Sequence, residues 1–170
     1  NTLLGEVPEV KNFFVCCGLN SIGIGSGGGV GKVTAEWMMT GHINEDIFSY
    51  DIKRFQKFHS DLGFIKKRIT ESLGDLYGMH WPFKQHKTSR NVKILPHHDN
   101  LKSFGACFGV SGGYERPMWF ALDGEKAEYE YSYNYQSWYL SAEYETNNTI
   151  KNVGIFDLTP FSKFEIKSDK

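Results

Sequence analysis

The chain has 170 residues, one domain of ordinary size or pieces of two, which is enough to bury a core without disulfides or metals. With 40% apolar, 15% aromatic and 23% charged residues, disorder, collagen and coiled coil are excluded; no apolar run approaches the roughly 20 residues of a membrane span, and no signal peptide is read at the start. Nineteen basic residues against twenty acidic ones leave a formal charge of −1, so no long-range field recruits nucleic acid or a membrane surface.

In chain order, Asn12–Leu19 is a short apolar run that predicts a strand buried on both faces. Six glycines follow in the nine residues from Gly23 to Gly31, read as a turn. A helix is then expected, with Val30, Val33, Trp37 and Met38 on one side and its end at Gly41. Asn44–Asp46 is a candidate cap, helical spacing returns over Asp51–Phe58, and a stronger helix is predicted over Phe64–Tyr77 from Ile65, Ile69, Leu73 and Leu76. Tyr77–Asn100 reads as loops, and Ala106–Val110 and Met118–Leu122 read as strands around Ser111-Gly112-Gly113. Tyr129, Tyr131, Tyr133 and Tyr135 alternate with polar residues, the pattern of a half-buried strand or an extended edge, and a helix is expected over Ser137–Thr149. Val153–Asp157 and Lys163–Lys167 predict a closing hairpin. Helices and short, mostly antiparallel strands in irregular order give an α+β class.

Several motifs are tested against their chemistry. Gly23-x-Gly25-x-x-Gly28 is formally the dinucleotide fingerprint, following a strand and preceding a helix. Its partner acid should end a second strand about 20 residues on, whereas Glu45 and Asp46 lie in a polar stretch with no strand before them. Two readings of the tract stay open: a turn that only lets strand and helix pack closely, or backbone amides that touch a cofactor at a helix start. A P-loop fails, because Val33 follows Gly31-Lys32 where Ser or Thr is required and Ser26 stands where a glycine should. Gly109-Val-Ser111-Gly-Gly113 resembles a hydrolase elbow, but no histidine lies beyond Ser111. No histidine or cysteine spacing completes a metal set, so no metal site is expected. Three cysteines, with Cys16 and Cys17 adjacent in an apolar run, predict inert free thiols in a reducing compartment, cytoplasm or mitochondrial matrix. Asp123–Glu145 holds six acids against Lys126 alone, a net of −5 that repels phosphate, so the tyrosines read as packing rather than base stacking.

The chain starts on Asn1 rather than methionine, and Lys163–Lys167 reads as a strand with nothing after it to pair with; the expectation is a segment of a longer protein.

Five stretches in order carry a family resemblance: Cys17–Gly23 with Gly27–Lys32 and Ala35–Met38, Tyr50–Phe55, Ser89–Asn91, Gly113–Phe120, and Asn152–Ile166. Together they resemble the dimethylglycine and sarcosine dehydrogenases, flavoproteins in which an FAD domain joins through a central segment to an aminomethyltransferase-like, folate-binding domain. The resemblance implies that residues 1–45 end the FAD domain, 46–96 form the central segment and 97–170 open the folate-binding domain. It implies FAD as cofactor, tetrahydrofolate as a second ligand of the parent, and a small methylamine substrate, with catalytic side chains outside this chain. It assigns the cofactor contact to Leu19, Asn20, Ser21, Ile22, Gly23 and Ile24, and the helix-start argument adds Gly28. Glu115, Arg116 and Trp119 are expected to buttress a domain junction. The chain departs from the family pattern at Glu143-Tyr144 and in the tyrosine tract. The implied activity is oxidative demethylation of dimethylglycine or sarcosine by the parent, the one-carbon unit passing to tetrahydrofolate or water, with this segment alone silent and open to self-association. The same family includes a non-catalytic member, the regulatory subunit of pyruvate dehydrogenase phosphatase, which gives a second reading as an interaction protein.

Overall fold

Strand β1 (Leu3–Glu6) pairs antiparallel with β2 (Phe14–Cys17), Leu3 opposite Cys17 and Glu6 opposite Phe14, in a computed structural model that describes residues 2–168. The connecting turn is tied by Val7 N–H to Phe13 O at 2.9 Å and by Asn12 N–H to the Glu6 carboxylate at 2.8 Å. The strand expected over Asn12–Leu19 is therefore shorter, and it is not buried on both faces: Cys16 and Cys17 are exposed. A two-stranded ribbon covers only part of such a run, so the two thiols meet solvent instead of an apolar interior.

The glycine tract is the larger correction. Gly23–Thr40 is one helix, α1, so the glycines from Gly23 to Gly31 occupy its first turns instead of forming a loop. The turn itself lies earlier, where Gly18 and Ser21 take left-handed φ values of 71° and 66°. Glycine weakens a helix by about 1 kcal/mol relative to alanine but does not forbid its hydrogen bonds, and Ser26 N–H reaches Ile22 O at 2.9 Å. The helix ends where the sequence placed its end, at Gly41, whose φ of 77° lets its N–H cap Trp37 O. Trp37 is the one buried residue of α1. Its ring lies over Gly5 and edge-on to Phe14, with ring centroids 6.0 Å apart.

The rest of this first unit is held against β1 by Leu4 N–H to Tyr50 O at 2.9 Å and by Arg54 Nη2 to Thr2 O at 2.8 Å. The helical spacing of Asp51–Phe58 becomes two short 3₁₀ turns, Ile52–Arg54 and Lys57–Ser60. Extended backbone at Phe55 and Gln56 separates them. The cap read at Asn44–Asp46 starts no helix; Asp46 accepts Phe48 N–H in a local turn.

The chain divides into Asn1–Ile65 and Lys66–Lys170. Helix α2 (Leu62–Asp75), predicted over Phe64–Tyr77, leads into the second unit. A six-residue helix α3 (His98–Ser103) precedes a hairpin of β3 (Ala106–Ser111) and β4 (Tyr114–Phe120). The hairpin turns at Gly112-Gly113, both at left-handed φ, with a bulge between Cys107 and Phe108. The second strand thus starts earlier than the expected Met118–Leu122. Helix α4 (Tyr139–Lys151) is joined to β4 by Glu145, which accepts Phe120 N–H at 2.8 Å. Leu95, Ala106, Cys107 and Trp119 form the core, with Glu115 and Ser141 buried among the polar residues.

Two expected elements are absent among the described residues. The tyrosine tract forms no strand, and Val153–Asp157 and Lys163–Lys167 form no hairpin. Lys163 Nζ instead donates to the carbonyls of Leu158, Thr159 and Phe161 at 2.7–2.8 Å, closing that bend without a ladder. Among the described residues the class is α+β, with four α-helices and two small antiparallel sheets. No helix among the described residues is long and apolar enough to cross a membrane.

Candidate functional site

The sequence-assigned residues meet at the junction of β2 and α1. The two left-handed residues reverse the chain between Gly18 and Ser21, and Ile22 N–H bonds Leu19 O at 3.2 Å. Ile22 then precedes the helix without lending a side-chain cap, and no acid occupies the first turn. The first N–H groups of a helix have no intrahelical acceptor and carry the positive end of its dipole. Here Gly23, Ile24 and Gly25 present those donors. Asn20, Ser21 and Ile22 are exposed, Ile24 is fully so, and Leu19 and Gly23 are half-buried against each other.

Bare peptide surrounds this start. A Cβ built at Gly25, Gly27, Gly28, Gly29 or Gly31 meets nothing within 4 Å. The arrangement offers amide donors to carbonyl and ring-nitrogen acceptors, and two isoleucine side chains to a flat apolar face. Among these site residues none is an acid, a base or a thiol, and what the arrangement offers is positioning of a ligand.

The other matched stretches build structure. Arg90 of Ser89–Asn91 forks onto Glu115 of Gly113–Phe120, and Asn91 N–H adds a bond to the same carboxylate at 2.8 Å. Arg90 also reaches Phe108 O and His86 O. Burial pushes the Glu115 carboxyl up, but the Arg90 and Asn91 bonds outweigh it and leave it below the ordinary range; the same bond raises Arg90. Both carboxylate oxygens of Glu115 are thus engaged inside this unit; Trp119 is buried there too, its indole N–H without a hydrogen-bond partner among the described residues, whereas Arg116 lies over Phe161 at 5.1 Å.

A cluster that spacing rules missed joins Glu71, Asp75 and His86, whose ligand atoms lie within 4.8 Å of one another. Its only signal in the sequence is an i,i+4 acid pair on α2. The donors are already spent: Lys84 Nζ sits 2.7 Å from Asp75, and Glu71 accepts the Lys87 and Thr88 amides and the Thr88 hydroxyl. The adjacent histidines part company, with His98 buried against Phe108 at 4.2 Å and His97 exposed.

Comparison with known proteins supplies the remaining finding. Residues 40–94 match the family model "FAD dependent oxidoreductase central domain". The chain is 40% identical over 98% of its length to 20% of 4-methylaminobutanoate oxidase (formaldehyde-forming) of Paenarthrobacter nicotinovorans. It is 33% identical over 98% of its length to 19% of the mouse mitochondrial pyruvate dehydrogenase phosphatase regulatory subunit. To human mitochondrial sarcosine dehydrogenase it is 37% identical over 77% of its length and 14% of that protein. The chain therefore spans about a fifth or less of the length of the curated relatives it matches.

Proposed function

The chain belongs to the sarcosine and dimethylglycine dehydrogenase family of FAD-dependent oxidoreductases, and on that footing we propose that it is a segment of an enzyme that oxidatively demethylates small N-methylated amino acids. Sarcosine, dimethylglycine and 4-methylaminobutanoate define the substrate class. Bound FAD would supply the hydride acceptor for the N-methyl carbon. Residues 1–45 close the FAD domain of the parent, 46–96 link it, and 97–170 open a folate-binding domain. The parent works in the mitochondrial matrix or the cytoplasm.

The observation that carries this reading is the open start of α1. The isoalloxazine ring has carbonyl and nitrogen acceptors along one edge and an apolar flat face. The N–H groups of Gly23 and Ile24 suit the edge, the side chains of Ile22 and Ile24 suit the face, and the empty space at Gly28 admits the ring without steric conflict. Leu19, Asn20 and Ser21 shape the turn that aims them. Positive dipole at the helix start favours electron density arriving there. The one-carbon unit leaves to water, as formaldehyde, or to tetrahydrofolate; the name of the bacterial relative favours water.

A second reading rests on the mouse regulatory subunit, matched over the same 98% of the chain: the parent is an interaction protein without turnover. The test is the full-length protein carrying this chain, purified and mixed without oxygen with sarcosine, dimethylglycine or 4-methylaminobutanoate. Bleaching of a bound flavin by at least one of them supports the enzyme. A protein without flavin, or with a flavin that none of them bleaches, overturns it in favour of the regulator. Turnover by residues 1–170 alone overturns the assignment as a segment.

A further inference from the structure

We propose that five rings of the second unit, Trp119, Tyr129, Tyr131, Trp81 and Tyr133, form a conduit that carries one-electron oxidising equivalents from the buried hairpin to the surface. The tyrosine tract forms no strand, so ladder hydrogen bonds do not explain its alternation, and its acidic setting excludes nucleic acid. The rings themselves are in order. Trp119 lies edge-on to Tyr129 at 6.2 Å, Tyr129 stacks on Tyr131 at 5.7 Å and 10°, Tyr131 on Trp81 at 6.5 Å and 15°, and Trp81 meets Tyr133 at 4.6 Å. Exposure rises along the series, from 3% at Trp119 to 74% at Tyr133.

Indoles and phenols are, with thiols, the side chains that give up one electron most readily. The inner end of the series holds one of each: Trp119 sits opposite the buried Cys107 in the hairpin register, and Tyr129 lies beside both. The direction of travel follows from the protons. An oxidised phenol must release its O–H proton to settle as a neutral radical. Tyr129 is only partly exposed, set between Trp119 and Tyr131, so bulk water is not at hand to take that proton. The Tyr131 oxygen accepts Gln85 N–H at 2.7 Å and lies in partly buried surroundings. Tyr133 stands in water, its O–H touching only the Met79 sulfur at 2.7 Å, a weak acceptor. The electron vacancy therefore moves outward and stops at Tyr133.

The oxidant class is an oxygen-derived radical. Carbonate radical anion takes one electron from Trp119, the vacancy passes along the rings, and Tyr133 loses its proton to solvent. The balance is one phenol and one carbonate radical anion giving one phenoxyl radical and one bicarbonate. A solution thiol then restores Tyr133 by donating a hydrogen atom and becomes a thiyl radical. Cys107 and Trp119, both core residues, are thereby spared from irreversible oxidation.

Pulse radiolysis of the full-length protein carrying this chain with azide radical, a selective oxidant of indoles, tests this. The expected result is conversion of the indolyl absorption to the phenoxyl absorption in a first-order step independent of protein concentration. Trp81→Phe slows that step by about an order of magnitude, and Tyr133→Phe lowers the phenoxyl yield. Tyr135→Phe, outside the series and in tilted contact with Tyr139, changes neither. Trp37 and Trp138 lie outside the series and contribute equally in all variants. A rate unchanged in Trp81→Phe, or one proportional to protein concentration, overturns the proposal. Should Trp81→Phe lose its cooperative melting transition, the exposed Tyr133→Phe decides alone: an unchanged phenoxyl yield overturns it.

Discussion

The Glu115 carboxylate takes both N–H edges of the Arg90 guanidinium, Nε at 2.7 Å and Nη2 at 2.5 Å, while only 2% of Glu115 is exposed. Two planar groups matched in this way are costly to separate, because each leaves the other's charge unpaired. Glu115→Ala is expected to cost about 3–5 kcal/mol, and Arg90→Met with Glu115→Leu markedly less than Glu115→Ala alone. Denaturant unfolding of the three proteins checks it; a loss below about 1 kcal/mol for Glu115→Ala refutes the clamp.

Gly5 is fixed by a different constraint. A Cβ at this position would lie 2.3 Å from the Trp37 ring, and the backbone holds φ at +107°. Gly5→Ala is expected to destabilise the first unit by roughly 2–4 kcal/mol, from overpacking plus the strain of that conformation. A thermal melt read by the near-ultraviolet signal of Trp37 reports it.

The helix glycines predict the opposite sign. Gly27→Ala and Gly29→Ala meet no neighbour, so each is expected to stabilise the chain by roughly 0.5–1 kcal/mol. Gly28→Ala follows the same trend in stability but lowers the flavin retained by the parent. Unfolding curves of the chain and flavin content of the full-length protein separate the two effects. Equal flavin content in Gly28→Ala and the unaltered protein would remove Gly28 from the site.

Acid sensitivity has a nameable source. Partial burial pushes the Glu71 carboxyl up, yet the Thr88 hydroxyl and the Lys87 and Thr88 amides hold it at about 2, below its ordinary 4.5. A carboxyl lowered on folding contributes stability that is complete above 4.5 and drains away as pH falls toward 2. Melting temperatures measured across that window should fall for the unaltered chain and fall less steeply for Glu71→Gln. Parallel curves would show that Glu71 does not set the acid limb.

Much of the second unit is visible in its residues. Gly112-Gly113 between apolar runs announces the hairpin, and the spacing of Ile65, Ile69 and Leu73 announces α2. The C-terminal end of α1 is equally plain at Gly41. Its N-terminal end is not, because glycine propensity argues for a loop while the hydrogen-bond ladder from Ile22 onward holds a helix. The tyrosines mislead through period alone: alternation signals a strand only when a neighbouring strand exists to receive it, and here ring-to-ring contact orders the segment instead. At the candidate site, the turn Leu19–Ile24 comes from the resemblance alone, since the glycine motif places the turn at Gly23–Gly31, which is helix. The Arg90–Glu115 pairing could not, since nothing local links a loop arginine to a glutamate on β4.

The indole of Trp37 grips only the far half of α1, so the glycine half behaves as a cantilever, built from backbone whose order is repaid by little burial. Whatever lies along that beam stiffens it. Occupancy of the beam and slowing of amide hydrogen exchange in Gly23–Gly31 should therefore rise together, making the helix a reporter of its own ligand.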